Sequence, residues 1–280
     1  IPHIIGMVLA GVLIGKYGFN ILNRDDSFEL FGNVGLYYIM FLAALEMDME
    51  GVKKNVKRML MYGALTCFIP FGLTFVMSVS MLKYSIMASL ILGCIMASNT
   101  LIAYPIVGRY GLQRKPSVTL SVGASMISLL TSLIILSAIE NAHAGNSGIM
   151  FWAWFVAKII IYCGVLSLIV PRLTRCFLRR YSDAVMQFIF VMAMLFMSAA
   201  LAEAVGVNGI SGAFFAGLIL NRYIPPVSPL MNRIEFIGNA LFIPYFLIGV
   251  GMLINVRLLV NGGNIRWGVF LIVVFGTVGK

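Results

Sequence analysis

Apolar residues run through this chain in ten blocks, near 1–15, 34–48, 59–80, 84–108, 117–139, 149–171, 184–204, 207–221, 232–255 and 266–280. Short polar stretches separate them. About 20 apolar residues in a helix cross a hydrocarbon core of ~30 Å, so most blocks are of spanning length. Helices are the expected form, because in lipid each segment must satisfy its own backbone groups. A barrel would need short strands of alternating polarity, and these blocks do not alternate. The pattern therefore predicts an all-α, polytopic membrane protein of about ten spans, with no soluble domain between them.

Composition sharpens this picture. Hydrophobic residues make up 61% of the chain and charged residues 11%, with a mean hydropathy of +0.99. A soluble domain carries roughly 25% charged residues, so lipid is the expected solvent. The net charge of +10 is distributed by side. The stretches after blocks 2, 4, 6 and 8 hold Lys53, Lys54, Lys57, Arg58, Arg109, Arg114, Lys115, Arg172, Arg175, Arg179, Arg180, Arg222 and Arg233. The opposite stretches hold only Lys16, Arg24, Lys83, Arg257 and Arg266. Positive loops stay cytoplasmic, which places the even-numbered loops inside. Trp152, Trp154 and Trp267 then fall at outer ends, as an aromatic belt would put them. The charge thus reads as topology, and nucleic acid is not an expected partner. The first residues read as a span already under way, with no signal peptide before it.

The chain also resembles itself. Ile5–Ile14 aligns with Ser211–Leu220 at an offset of 206, sharing the small-residue pattern of Gly6, Ala10 and Gly11 with Gly212, Ala216 and Gly217. Gly32-Asn33 recurs as Gly238-Asn239, and after a one-residue slip Phe41-Leu42 and Met47 recur as Phe246-Leu247 and Met252. Block 8 is seven spans after block 1, so the copies should be inverted. Inverted repeats are the signature of alternating access about a site near the midplane. Small residues spaced this way also serve plain helix packing; the second matching span speaks against coincidence. If blocks 1–3 correspond to 8–10, partners of blocks 4 and 5 are expected after residue 280.

Several residues could carry chemistry. Ser98, Asn99 and Thr100 lie near the middle of block 4, followed by Pro105. Proline removes a helix hydrogen bond, and three polar side chains at mid-depth suggest a broken helix lining a cavity. A kinked helix with back-bonded hydroxyls would look the same. Ser117, Ser121, Ser125, Ser128 and Ser132 share one face of block 5. Spacing alone favours close packing over a hydrated path. Lys158 and Lys280 fall deep in blocks 6 and 10, while Glu203 and Glu46 lie near span ends. Ionisable residues within a membrane are functional candidates by default. Cys67, Cys94, Cys163 and Cys176 show no disulfide or metal spacing, and His3 and His143 form no zinc motif. No cofactor, metal centre or nucleophile–base pair is expected, and so no enzyme.

Taken together, these stretches resemble the monovalent cation:proton antiporters, in the branch of potassium-efflux and sodium/proton antiporters. Pro2 through Gly15 is similar to that family's P-x-x-x-G-x-x-x-x-G-x-x-x-G opening. Phe41 through Asp48 resembles F-x-x-G-L-E-x-D, with Ala44 where glycine is usual. Leu201-Ala202-Glu203 through Gly206, followed by Gly212 through Gly217, resembles L-A-E-x-x-G and G-A-F-x-A-G. Phe246 through Met252 resembles F-F-x-x-x-G-M. The resemblance implies an inverted-repeat antiporter-like fold in a bacterial inner (plasma) membrane, with a homodimer embedded in the bilayer. It divides the chain into a transport part (59–139 and 266–280), a dimerisation or scaffold part (1–58 and 184–259) and a linking helix (149–171). It also implies a cation pathway at Ser98, Asn99, Thr100, Ser125, Ser128 and Lys280, the last matching a basic residue that faces the ion site in sodium/proton members.

One departure is central. Where the family places a carboxylate after G-A-x-x-x, Gly123-Ala124 here leads to Ser128-Leu129. No aspartate or glutamate occurs between Glu50 and Glu140. Exchange needs a group that takes either a proton or a cation near neutral pH, and serine does not ionise there. Two readings stay open at this stage. In one the protein exchanges Na+ or K+ for protons through another acid, such as Glu203 or one beyond residue 280. In the other, exchange is lost and the protein is a sensor, a regulatory subunit, or an anion or uncoupled pathway.

Overall fold

The computed structural model describes residues 3–47, 49–98, 115–143, 149–181, 183–256 and 263–279. Among these no strand occurs, and each of the ten apolar blocks is occupied by helix. In chain order they are α1 (His3–Ile14), α2 (Asp26–Leu45), α3 (Met49–Ser80), α4 (Ile86–Ala97), α5 (Pro116–His143), α6 (Ile149–Arg180), α7 (Ala184–Val205), α8 (Gly209–Leu220), α9 (Pro229–Ile237), α10 (Ile243–Leu253) and α11 (Gly263–Val278). A π-helical turn, Gly238–Phe242, joins α9 to α10 into one rod. Pro244 has no N–H to give the preceding turn, which accounts for the widened backbone there.

Five helices are long and apolar enough to cross a membrane: Asp26–Leu45, Lys54–Ser80, Ala153–Arg180, Ala184–Val205 and Pro229–Leu253. Several of the others are shorter, and α1, α4 and α8 have 12 residues each. Local chemistry sets several starts. The Asp25 side chain accepts from Phe28 N at 2.9 Å, and Asp26 and Glu29 sit in the first turn of α2, where the helix dipole favours acids. Ser85 caps α4 and Ser228 caps α9, which has Pro229 in its first turn.

Helix boundaries depart from hydropathy in two places. Block 2 was expected to begin at 34, but α2 begins at Asp26. The basic stretches expected as loops after blocks 2 and 6 are helical: α3 already runs from Met49, with a kink at Asn55, and α6 continues to Arg180. A helix need not stop where the hydrocarbon does. Long basic side chains reach water from either end of a helix, and Arg179 and Arg180 in the last turn of α6 also suit its dipole.

The chain forms two compact units. Unit 1 comprises Ile1–Glu46, Cys163–Leu201 and Gly212–Arg266; unit 2 comprises Met47–Tyr162, Ala202–Ser211 and Trp267–Lys280.

Unit 1 is built as an inverted pair. Phe28 meets Gly249 and Tyr245, Gly35 meets Phe242 and Phe246, and Tyr38 meets Gly238. The Tyr38 hydroxyl donates to the Ile234 carbonyl at 2.8 Å. One helix ascends as the other descends, so α2 and the α9–α10 rod are antiparallel. Gly35 lies against Phe242, one residue from its own repeat equivalent Leu241, which puts a local two-fold axis at this crossing.

The flanking contacts obey the same symmetry. On α10, Gly11 of α1 lies against the Ile248 carbonyl and Gly251. On α2, Gly217 of α8 lies against the Phe41 carbonyl and Ala44. The offset of 206 carries Gly11 to Gly217, and carries Phe41 and Ala44 to within one residue of Ile248 and Gly251. Each copy's first helix thus packs on the other copy's second. Gly217 and Asn221 advance along Phe41 and Ala44–Leu45, so α8 runs with α2; Gly11 and Gly15 advance along Ile248 and Met252, so α1 runs with α10. Helices α1 and α8 therefore oppose each other, as an inverted repeat requires.

In unit 2, α3 and α4 form an antiparallel hairpin closed by Met81 N to Met77 O and Tyr84 N to Ser78 O. Lys83 takes the left-handed conformation in that turn (φ 52°). Gly93 lets α4 approach Phe71 of α3. Gly63 faces Ile127 and Gly123 faces Met59, so α5 runs alongside α3. Gly268, Gly276 and Gly279 set α11 against Tyr84, Met96 and Pro70 respectively, antiparallel to α3.

A candidate ion site at the end of the half-helix

Helix α4 is the element that makes a site possible. Its 12 residues rise about 18 Å, little more than half the hydrocarbon thickness. It ends at Ala97, because Ser98 leaves helical geometry (φ −65°, ψ 118°). The Ser98 N–H still closes on Cys94 O at 3.0 Å. A helix ending at mid-depth leaves its last carbonyls pointing onward, with about half a negative charge between them.

Helix α5 supplies the partner. The buried Ser128 hydroxyl donates to the Ala97 carbonyl at 2.8 Å, across 31 residues of sequence. Of the residues singled out from the sequence, this bond involves Ser128; Ser98 follows the acceptor Ala97 in the chain. Ser125, one turn earlier, is half-buried. Leu129, which occupies the other acid position, is buried.

The serine face of α5 is not uniform. Ser117 and Ser121 are exposed, whereas Ser128 and Ser132 are buried. Ser132 bonds back to Leu129 O at 2.8 Å, as a packing residue does. Only Ser128 reaches another helix within the stripe's inner half. Asn99, Thr100 and Lys280 lie outside the described residues. Lys158 is exposed on α6, and Glu203 is exposed near the end of α7. The segment carrying Glu203, Ala202–Ser211, belongs to the same compact unit as α3, α4 and α5.

Two cysteines, expected from the sequence to be free thiols filling space between helices, lie near the junction. Cys67 of α3 is fully buried beside Ser128, and Cys94 of α4 is buried within range of Cys67. Both are free thiols. Their only sequence signal was burial in apolar blocks, which any small residue would share. Among the described residues no group of three histidine, cysteine, aspartate or glutamate side chains could hold a metal ion. Among the described residues, what the junction offers is a set of oxygens, helix-end carbonyls and a hydroxyl, carrying partial negative charge and no full one.

The family model described as "Sodium/hydrogen exchanger, transmembrane" matches residues 1–280. The chain is 35% identical over 263 residues to the Na(+)/H(+) antiporter NhaS5 of Synechocystis, a match covering 91% of this chain and 36% of that protein. It is 29% identical over 271 residues to "Probable Na(+)/H(+) antiporter 3" of Methanocaldococcus jannaschii, covering 95% and 69%. It is 27% identical over 309 residues to K(+)/H(+) antiporter 1 of Saccharomyces cerevisiae, covering 99% and 34%. The chain thus spans about a third of the length of two of these relatives and about two thirds of the other.

Proposed function

The chain belongs to the sodium/hydrogen exchanger family, and from that premise we propose that the protein exchanges a monovalent cation, Na+ or K+, for protons by alternating access. It is a multi-pass integral membrane protein of a transporter family, and we place it in a bacterial plasma membrane as a homodimer. Unit 2 is the transport part in this reading, and unit 1 the dimerisation scaffold.

The observation that carries the proposal is the half-helix end at Ala97, held by Ser128. Half-helix C-termini and unwound carbonyls are what coordinate small cations in inverted-repeat transporters. Ser98, Asn99 and Thr100 would continue that oxygen-lined path, with Ser125 and Ser128 on its α5 side and Lys280 as a positive limit to it. With Ser128-Leu129 in place of an acid, the junction binds a cation through dipoles and leaves proton coupling to another carboxylate. Glu203 is our candidate within the chain, since its segment belongs to unit 2.

The test uses the full-length protein in sealed vesicles with an imposed pH gradient. Adding sodium, potassium or lithium salts should collapse the gradient in a cation-dependent manner. Glu203→Gln should slow that collapse by on the order of tenfold or more, the usual scale of a lost proton carrier. A collapse that tracks the anion, or none at all, refutes exchange.

A further inference from the structure

Thr74 and Ser78 lie one turn apart on α3, and Ser89 lies on α4, all three 0% exposed. None of their hydroxyls has a hydrogen-bond partner among the described residues. Elsewhere in the same helices the usual solution is used. On α3 itself Thr66 bonds back to Tyr62 O at 2.8 Å and Ser80 to Val76 O at 2.6 Å. A buried hydroxyl left without a partner loses its hydration with nothing in return. Three such groups on one seam need a common explanation.

The hairpin register brings them together. Gly93 of α4 abuts Phe71 of α3, and the chains run antiparallel from the turn at Met81–Tyr84. Ser89 is one turn before Gly93 on the same buried face, which also holds Ala97. Thr74 and Ser78 are three and seven residues after Phe71, on the seam that Phe71 and Cys67 occupy. Ser89 therefore falls at the level between Thr74 and Ser78.

We propose that this seam holds internal water, bound jointly by Thr74, Ser78 and Ser89, at the outer end of the α3–α4 hairpin. The chemistry selects water over a cation. Each hydroxyl has an unpaired O–H donor as well as free lone pairs. A cation satisfies only lone pairs and would leave three donors buried and unmet. Water both donates and accepts, and buried waters typically make about three such bonds. Phe71 against Gly93 packs the seam on the inner side, between this water and the Ala97 junction. The α3–α4 turn is on the outer side by the charge distribution, so the water sits between the outer surface and the half-helix end.

The test has two arms on the full-length protein in detergent. In the unmodified protein, X-ray radiolysis makes hydroxyl radicals from bound water in place. Met77, 3% exposed and adjacent to Ser78, should be oxidised on the order of fivefold faster than Met59, 1% exposed in the same unit, if buried water stands beside it. In the second arm, Thr74→Val and Ser89→Ala should each lower the thermal midpoint by about 2–4 °C, and the double variant no further than the larger single loss. Equal oxidation of the two methionines overturns the proposal. So do midpoints that stay level or rise, which mean a dry seam, and losses that simply add, which mean separate partners.

Discussion

Gly11 and Gly217 make the repeat testable by a single methyl group. A Cβ on Gly11 would overlap the Ile248 carbonyl and lie 3.0 Å from Gly251 Cα; one on Gly217 would lie 2.5 Å from the Phe41 carbonyl and 2.8 Å from Ala44 Cβ. The obstacles are backbone and a short side chain, so neither can swing aside. The helices must separate by roughly 0.5–1 Å, which forfeits a quarter to a half of the contact energy along the seam. Overpacking of this kind costs about 1–3 kcal/mol. Gly6 supplies the control, because a Cβ there meets nothing within 4 Å. Alanine at Gly6 should gain about 0.5–1 kcal/mol from helix propensity alone. The predicted signs are therefore opposite within one helix. Thermal unfolding of the detergent-solubilised protein can be followed with a thiol-reactive dye in a Cys163→Ser, Cys176→Ser background, since the remaining Cys67 and Cys94 are buried until the fold opens. At about 2–4 °C per kcal/mol, Gly6→Ala should raise the midpoint by about 1–4 °C, and Gly11→Ala and Gly217→Ala should each lower it by about 2–12 °C. Inverted symmetry further requires the two losses to agree within about 1 kcal/mol. A Gly11→Ala protein as stable as Gly6→Ala, or a loss at Gly11 with none at Gly217, would refute the reciprocal packing.

Two further outcomes follow from single bonds and charges. Ser128→Ala should leave the Ala97 carbonyl without its donor and cost about 1–2 kcal/mol, whereas Ser125→Ala, half-buried one turn away, should change stability by under about 0.5 kcal/mol; equal effects on the midpoint would mean the bond is absent. Glu46, just beyond the span Asp26–Leu45, has its carboxyl pushed from 4.5 to about 7 by burial and then by Glu235. The folded protein then binds more protons than the unfolded chain between these values, so the contribution is full below about 4.5 and is lost as pH rises through 7, a change of order 2–3 kcal/mol by pH 8. Midpoints measured at pH 5 and pH 8 should differ accordingly, and Glu46→Gln should flatten the difference; an unchanged slope would remove Glu46 as its source.

The sequence shows its membrane segments plainly because hydropathy and helix formation have one cause, the need to satisfy backbone groups in lipid. It shows their ends poorly, because helix continues into water wherever a cap or a basic side chain supports it. That is why Asp26–Gly32 and Met49–Arg58 were read as connecting chain although they are helical. The same error hid part of the repeat. Glu29-Leu30-Phe31-Gly32-Asn33 matches Glu235-Phe236-Ile237-Gly238-Asn239 at the offset of 206, and only Gly32-Asn33 stood close enough to a hydropathic block to be noticed. At the site, the serines of α5 were visible as a stripe, but which of them bridges was not. Period alone cannot separate Ser128, which reaches Ala97, from Ser132, which bonds to its own helix. Thr74, Ser78 and Ser89 gave no signal at all. Each is a small residue in an apolar run, and only the hairpin register puts them on one seam.

The serine at 128 changes what the half-helix end can do. An ionised acid in its place would set a full negative charge against the Ala97 carbonyl, itself at the negative pole of α4. Such a group would hold its proton tightly until a cation arrived, which is the competition that couples exchange at one point. A hydroxyl donates to that carbonyl at no cost in charge, and the junction keeps one fixed polarity at every pH. Cation affinity there would then be set by dipoles alone and would not compete directly with protons. On the proposed exchange, proton coupling would therefore act at a distance, by changing which face the junction opens to rather than by vacating it. A distant carboxylate such as Glu203 would then serve as the proposed coupling group. It would need to belong to the same compact unit as α4 and α5, which its segment does, and to favour one orientation of that unit when protonated.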